Sequence, residues 1–296
     1  MSNTVKVHLS LLTVALIYGA TFSMAKAVMP EFITPFPFIL LRVATAMVLF
    51  LAFHFLFIKE KVERKDLGGL ALSAVFGVAA NMLMFFEGLA NTSPINAAVL
   101  MLVTPVFVFV ISRIVNKEAV KPLKTAGIIL AALGAMLLMG GTRLNFSIDT
   151  LYGDVLIILN ALSYAVYLVY VRKFIKKYNP ITVSKWNFIF GFLMVLPFGF
   201  EGLDAIEWST FDAAIWFFVV FILVGTTFIT YLLNAWALQH APATLVGSYI
   251  YLQPVFAATI ALAGGKDSLT VEKVIFILLI FAGVYLVSYT PKNKTE

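Results

Sequence analysis

The 296-residue chain is 61% hydrophobic and only 12% charged, with a mean hydropathy of +0.98. Soluble domains sit near half apolar and about a quarter charged, so these values exclude a soluble domain and point to a polytopic membrane protein. There are no cysteines, which rules out disulfides and thiolate metal sites, and the net charge of +6 resides in loops, where membrane topology accounts for it better than nucleic-acid binding.

Apolar runs of about 20 residues, enough to cross roughly 30 Å of hydrocarbon, recur between short polar stretches. The predicted fold class is an all-α integral membrane protein with ten transmembrane helices. The first five fall at 8–28, 35–57, 67–90, 95–115 and 123–140. The second five fall at 151–171, 181–200, 213–238, 244–264 and 274–289. Span one has no small-residue cleavage site close behind it and reads as a retained helix rather than a signal peptide.

Span one places Ala15, Gly19, Ser23 and Ala27 at every fourth position, a ladder suited to close helix packing. Tyr18 and Thr21 lie beside it and are candidates to line a substrate path. Lys26, near the helix end, is expected to snorkel to the surface. Arg42 in span two and Glu87 in span three fall at similar depth, and a charge inside a membrane span is a functional hypothesis with a partner to be named. The two are expected to pair, as an outer gate or as an anchor for a substrate carboxylate. Asn81 in span three joins the candidate substrate-binding residues, whereas His54 near the end of span two reads as structural.

Span four carries Pro105, which removes a backbone donor and frees the carbonyl of Met101. Span six sets Asn160, Ser163, Tyr164 and Tyr167 at i, i+3, i+4 and i+7, one helical face. Span eight repeats that spacing with Thr227, Thr230, Tyr231 and Asn234. Polar stripes facing lipid are costly, so both either line a water-filled path or fasten helices together. Trp208 and Trp216 read as an interface belt. Span nine offers Tyr249 and Gln253 one turn apart, then Pro254, which frees the carbonyl of Ile250. Pro105 and Pro254 are candidate hinges.

The two proline regions align without a gap at an offset of 149 residues. Gln253-Pro254-Val255-Phe256 falls on Thr104-Pro105-Val106-Phe107, Leu238 on Leu89, Lys266 on Lys117, Asp267 on Glu118, Lys273 on Lys124 and Gly283 on Gly134. The chain reads as an internal duplication, 1–145 and 146–296, of five helices each. Sixteen Lys and Arg residues fall on one side: Lys6, Lys59, Lys61, Arg64, Lys65, Arg113, Lys117, Lys121, Lys124, Arg172, Lys173, Lys176, Lys177, Lys185, Lys292 and Lys294. Three fall on the other, Arg143, Lys266 and Lys273. The excess places both termini in the cytoplasm, and the acidic loop with Glu201, Asp204, Glu207 and Asp212 outside. An odd number of spans per copy inverts the second copy, an arrangement typical of transporters with a site near the midplane.

The stretch Trp-Ala-Leu-Gln-His-Ala-Pro-Ala-Thr-Leu-Val-Gly-Ser-Tyr-Ile-Tyr-Leu-Gln-Pro-Val-Phe (236–256) resembles the ninth-helix signature of the drug/metabolite transporter superfamily, specifically EamA-like permeases. Gly-Leu-Ala-Asn-Thr-Ser-Pro-Ile-Asn-Ala-Ala-Val (88–99), Pro105, Asn-Lys-Glu (116–118) and Leu-Leu-Arg (40–42) carry the same likeness, which spans nearly the whole chain. Glu87 and Lys266-Asp267 depart from the usual pattern. The resemblance implies a bacterial-type inner-membrane permease that exports or exchanges a small metabolite such as an amino acid. Spans five and ten would then be peripheral, and a central cavity would lie between spans one to four and six to nine.

An enzyme would need a catalytic set, and neither His-Glu-x-x-His nor Gly-x-Ser-x-Gly occurs; three scattered histidines argue against a metal site. A channel would need a filter loop or ring of charge, and neither is evident. With no nucleotide-binding loop, no cofactor is expected, and a proton or counter-substrate is the candidate coupling partner. The expected partners are a small molecule and the lipid bilayer, not nucleic acid. The alternative reading is a membrane scaffold or receptor without transport.

Overall fold

A computed structural model describes residues 2–116, 122–139, 148–263 and 270–289. Among them run ten apolar helical segments. Nine are long enough to cross a membrane: α1 (Asn3–Val28), α2 (Pro35–Ile58), α3 (Arg64–Ala90), α4 (Asn96–Val115), α6 (Ile148–Lys177), α7 (Pro180–Gly199), α8 (Ala213–His240), α9 (Ala243–Ala263) and α10 (Val271–Ser288). The tenth, α5 (Pro122–Leu138), is shorter. The protein is a multi-pass membrane protein. Lys117, Lys121, Arg143, Lys266, Asp267, Lys292 and Lys294 lie outside the described residues.

Helix starts follow from local chemistry. Proline opens α2 and α7, where its missing N–H is no loss. Side-chain oxygens cap the first free N–H groups: Asn179 Oδ1 accepts from Ile181 N at 2.9 Å, and Asp212 Oδ1 from Ile215 N at 2.8 Å. The α6 helix outruns its predicted end by six residues, because Arg172, Lys173, Lys176 and Lys177 are good helix formers that need no hydrocarbon. Its last lysine reaches the α2–α3 connection and the first turn of α3, where Lys177 Nζ lies 2.8 Å from Glu63 Oε1 and 2.6 Å from Asp66 Oδ2.

Five spans are not regular: α2 ends in a π turn at His54–Ile58, and four others change partway along. The α3 helix widens into a π turn at Val75–Ala79, and α8 does so at Phe221–Ile229. Shifting the first by the 149-residue offset places it inside the second. The α4 helix breaks just before Pro105: Leu102 N and Val103 N bond three residues back, to Val99 O and Leu100 O. The α9 helix tightens to a 3₁₀ turn at Tyr249–Leu252, just before Gln253 and Pro254. The irregularities of these four spans therefore recur at the spacing of the sequence repeat, whereas the π turn that ends α2 has no such counterpart.

Helix contacts also come in matched pairs. The α3 helix packs on α6, and α8 on α1; α4 packs on α6, and α9 on α1. The α2 helix meets π-turned α8, as α7 meets π-turned α3, while α2 with α7 and α5 with α10 pair directly. The last pair stands to one side, with α10 the least buried of the nine long spans. Its helices approach closely because neither glycine has a side chain: a Cβ on Gly127 would lie 2.7 Å from Gly283 O, and one on Gly283 2.6 Å from Gly127 O.

The small-residue ladder of α1 is used only in part. Ala15 and Gly19 are buried, Gly19 against the Gln253 carbonyl and Phe256, but Ser23 and Ala27 are exposed. Steps of four residues drift around a helix of 3.6 residues per turn, so the stripe rotates out of the contact. Lys26 is exposed, as its place near the helix end suggests.

Candidate functional site

The π turn in α3 shapes the centre of the molecule. A π turn breaks the i→i−4 ladder, and two carbonyls of this one are bonded by neighbouring helices. Ser163 Oγ donates to Phe76 O at 2.8 Å, and the Tyr231 hydroxyl donates to Gly77 O. One turn further on, Asn160 Nδ2 donates to Asn81 O at 2.6 Å and Asn81 Nδ2 to Asn160 O at 3.4 Å. The polar stripe of α6 thus faces α3.

These helices enclose a cavity of about 80 Å³. The α1 helix contributes Tyr18, Thr21, Phe22 and Ala25, and α2 contributes Arg42. From α3 come Asn81, Met82, Phe85, Phe86 and Leu89, and from α4 Met101. Asn160 and Tyr164 of α6, Thr226 and Tyr231 of α8, and Ile250 and Gln253 of α9 complete the wall. Eight of the twelve residues proposed from sequence as substrate-binding therefore line one cavity. No described residue of α7 lines it: Asn187 turns toward α3, where Ser73 Oγ donates to its Oδ1 at 2.5 Å.

Arg42 is 4% exposed and is the one charged group among the described residues of the cavity wall. Its Nε donates to Thr227 Oγ1 at 2.9 Å, and its guanidinium carbon lies 4.6 Å from the centre of the Phe86 ring. The expected ion pair with Glu87 is not formed. Because Phe86 points at Arg42, its chain neighbour Glu87 is turned about 100° around the helix. The Glu87 carboxylate instead accepts from Asn91 Nδ2 at 3.1 Å.

The other three residues proposed from sequence also fall outside this wall. Thr227 stands behind it, donating to Ile222 O at 3.0 Å while holding Arg42. Tyr167 is a buttress: its ring fills the space where a Cβ on Gly77 would be, and stacks on Tyr164. Tyr249 sits lower, bonded to His8 Nδ1 through its hydroxyl. It opens on a second, smaller cavity of about 20 Å³. Tyr18, Tyr164, Ile250 and Gln253 border both cavities and form the partition between them.

Sequence reasoning missed Thr226, which faces the cavity and meets Thr21 Oγ1 at 2.7 Å. The π turn in α8 shifts the helical register across this stretch, so regular spacing selected Thr227 instead. It also missed Asp154, a 4%-exposed carboxylate in α6. Asp154 Oδ1 accepts from Thr92 Oγ1 at 2.5 Å and Oδ2 from Thr150 Oγ1 at 3.1 Å, which fastens the α3–α4 connection to α6. Its signal was available: an acidic residue inside a predicted apolar span.

Comparison with known proteins agrees with this architecture. The model of the EamA-like transporter family matches residues 5–140 and again residues 151–289. A protein of Archaeoglobus fulgidus named "uncharacterized transporter" is 31% identical over 95% of this chain and 96% of its own length. The Bacillus subtilis "uncharacterized transporter YoaV" is 26% identical over 98% of this chain and 99% of its own. A crystal structure shares the fold, with a TM-score of 0.76 over 95% of this chain and 96% of its own, at 18% identity. On the two family matches and the full-length relatives, the chain belongs to the EamA-like transporter family.

Proposed function

We propose that the protein is a secondary transporter that exports a small carboxylate-bearing metabolite, such as an amino acid, by alternating access. The observation that carries this reading is Arg42, a buried guanidinium in the cavity wall with no carboxylate partner among the described residues. A buried cation is costly unless paired, and a guanidinium holds a carboxylate through two parallel hydrogen bonds. Among the other wall groups, Asn160 Oδ1 has no partner among the described residues and is an acceptor suited to a substrate ammonium.

The cavity volume of about 80 Å³ is well below the roughly 300–1,000 Å³ of small-molecule sites, so substrate entry has to widen it. Matched helix pairings supply the means. We take 1–145 and 146–296 as two inverted five-helix halves that rock about the cavity, with Pro105 and Pro254 as hinges. Tyr18, Tyr164 and Gln253 then act as the partition that opens as the halves move. The positive side of the charge distribution is cytoplasmic in this reading, with both termini inside and the protein in the inner (plasma) membrane. A proton or counter-substrate drives flux.

The test is flux in proteoliposomes against a panel of labelled amino acids, other carboxylates and their amides. Saturable uptake of a carboxylate and not of its amide is expected. Flux of amide and acid at equal rates would remove Arg42 from the binding site, and no flux of any compound would favour a scaffold role.

A further inference from the structure

A second set of cations lies far from the cavity, at the end of α2. That helix finishes in a π turn, His54–Ile58, closed by Lys59 in the left-handed region at φ 52°. The connection that follows folds back on the start of α7. Lys59, Lys61 and Lys185 thereby share a pocket of about 550 Å³ with a single carboxylate, Glu60. Asn179 N donates to Glu60 Oε2 at 2.9 Å.

Lys185 is the unusual member. It is 8% exposed, yet no carboxylate of the described residues lies within 4.0 Å of its ammonium. Its nearest polar neighbour is the His54 ring, with Nζ 3.3 Å from Nε2 and 3.5 Å from Nδ1. His54 Nε2 lies 2.9 Å from Glu60 O, so that nitrogen carries the proton and Nδ1 is the acceptor. The ammonium reaches Nδ1 only at the limit of a hydrogen bond and lies 5.0 Å from the centre of the Trp186 ring, so it keeps N–H groups for an outside ligand.

The same pocket has an apolar wall. Phe55 lines it at 68% exposure, and Leu56 and Phe57 beyond it are each 69% exposed. A free anion would use only the polar side of this pocket, whereas an amphiphile uses both. We propose that the pocket binds an anionic phospholipid, its phosphate on Lys185 and the rim lysines and its acyl chain along Phe55. Basic pockets between helix ends in a charged leaflet suit such headgroups. Lys185 lies about 7 Å inside the start of α7, a depth from which a lysine reaches the headgroup layer. Bound there, the lipid bridges α2 and α7, one helix from each half of the sequence repeat.

The experiment follows the thermal stability of the purified chain in an uncharged detergent. Phosphatidylglycerol, phosphatidylcholine and inorganic phosphate are titrated separately. Phosphatidylglycerol is expected to raise Tm saturably, with little effect from the other two. Lys185→Met removes a buried cation that has no carboxylate of the described residues within 4.0 Å, so its Tm without lipid should match or exceed that of the parent. Its apparent affinity for phosphatidylglycerol should fall at least about fivefold, one cation's share. Lys61→Ala, at the exposed rim, should weaken the lipid effect without touching the core. Lys65→Ala, whose lysine pairs with Glu63 outside the pocket, should leave it unchanged. An undiminished lipid effect in both Lys185→Met and Lys61→Ala would overturn the proposal. So would an equal effect of phosphatidylcholine, or a phosphate effect that accounts for the whole rise.

Discussion

The hydroxyl of Tyr231 donates a hydrogen bond to the backbone carbonyl of Gly77, joining α8 to the π turn of α3 across the centre of the protein. A π turn leaves backbone groups without the usual helical partner, and in a membrane interior there is little water to take their place. The bond therefore does two things at once. It satisfies a buried carbonyl, and it ties together two helices that carry π turns at matching positions in the sequence repeat.

Tyr231→Phe tests the first role. Phenylalanine keeps the contacts with Phe188 and Tyr167 but leaves the Gly77 carbonyl without its donor. A loss of about 1–3 kcal/mol in stability is expected, the cost of an unsatisfied buried acceptor. Thermal unfolding in detergent measures it. An unchanged Tm would mean that water from the cavity replaces the hydroxyl.

The peripheral pair offers a control far from substrate. Gly283→Ala places a Cβ 2.5 Å from Ala131 N and 2.6 Å from Gly127 O, both backbone atoms that cannot step aside. The α5–α10 contact should open, at a cost of about 1–3 kcal/mol typical of overpacking. Tm should fall while KM for the transported compound stays within error. A large change in KM would show that α10 is coupled to the cavity after all.

Much of this arrangement was legible in the sequence, and the exceptions share a cause. Ten apolar runs and the register of the two prolines needed only length and periodicity. The α6 stripe was readable because α6 is a regular helix, so Asn160 and Tyr164 reach the cavity as the i, i+4 spacing implies. The α8 stripe was readable only in part: Tyr231 reaches the cavity, but the π turn, which has no signature in Phe-Ile-Leu-Val-Gly-Thr-Thr-Phe-Ile, puts Thr226 there in place of Thr227. Depth alone suggested Arg42 with Glu87, but depth says nothing of the angle around a helix. That angle gave Arg42 the ring of Phe86 instead.

Acid should act on the α2–α3 connection. The Glu63 carboxyl is held below its ordinary value of 4.5 by hydrogen bonds from Lys177 and then Lys65. A depressed folded-state pKa contributes stability that is full above the unfolded value and is lost as pH falls through the folded one. The difference in Tm between the parent and Glu63→Gln should thus be flat from about pH 6 to 8 and shrink below about pH 4.5. A difference that instead changes between pH 6 and 8 would assign the effect to another group.

The two prolines share a register, and each stands just past a break in its helix. Alanine at 105 or 254 restores a backbone donor and favours a continuous helix. Transport should slow in either variant while the amount of protein in the membrane is unchanged. Flux equal to the parent in the double variant would reduce both breaks to static kinks.

Arg42 and Glu87 should separate in their effects on substrate binding. Arg42→Gln keeps a hydrogen-bonding group near Thr227 but removes the charge facing the cavity. If Arg42 holds a substrate carboxylate, KM for that substrate should rise about 10–100-fold, the worth of a hydrogen bond to a charged group. The neutral amide of the same compound should be handled no worse than before. Arg42→Lys should recover only part of the loss, because an ammonium cannot reproduce the two-pronged contact. Glu87 faces away and its carboxylate is bonded to Asn91, so Glu87→Gln should change KM little. In the double variant the effects should add to within about 0.3–0.5 kcal/mol. A coupling well above that would mean the two charges meet in another state of the transport cycle, one in which Glu87 has turned toward the cavity. Substrate would then compete with Glu87 for the guanidinium, and Glu87→Gln alone would tighten binding.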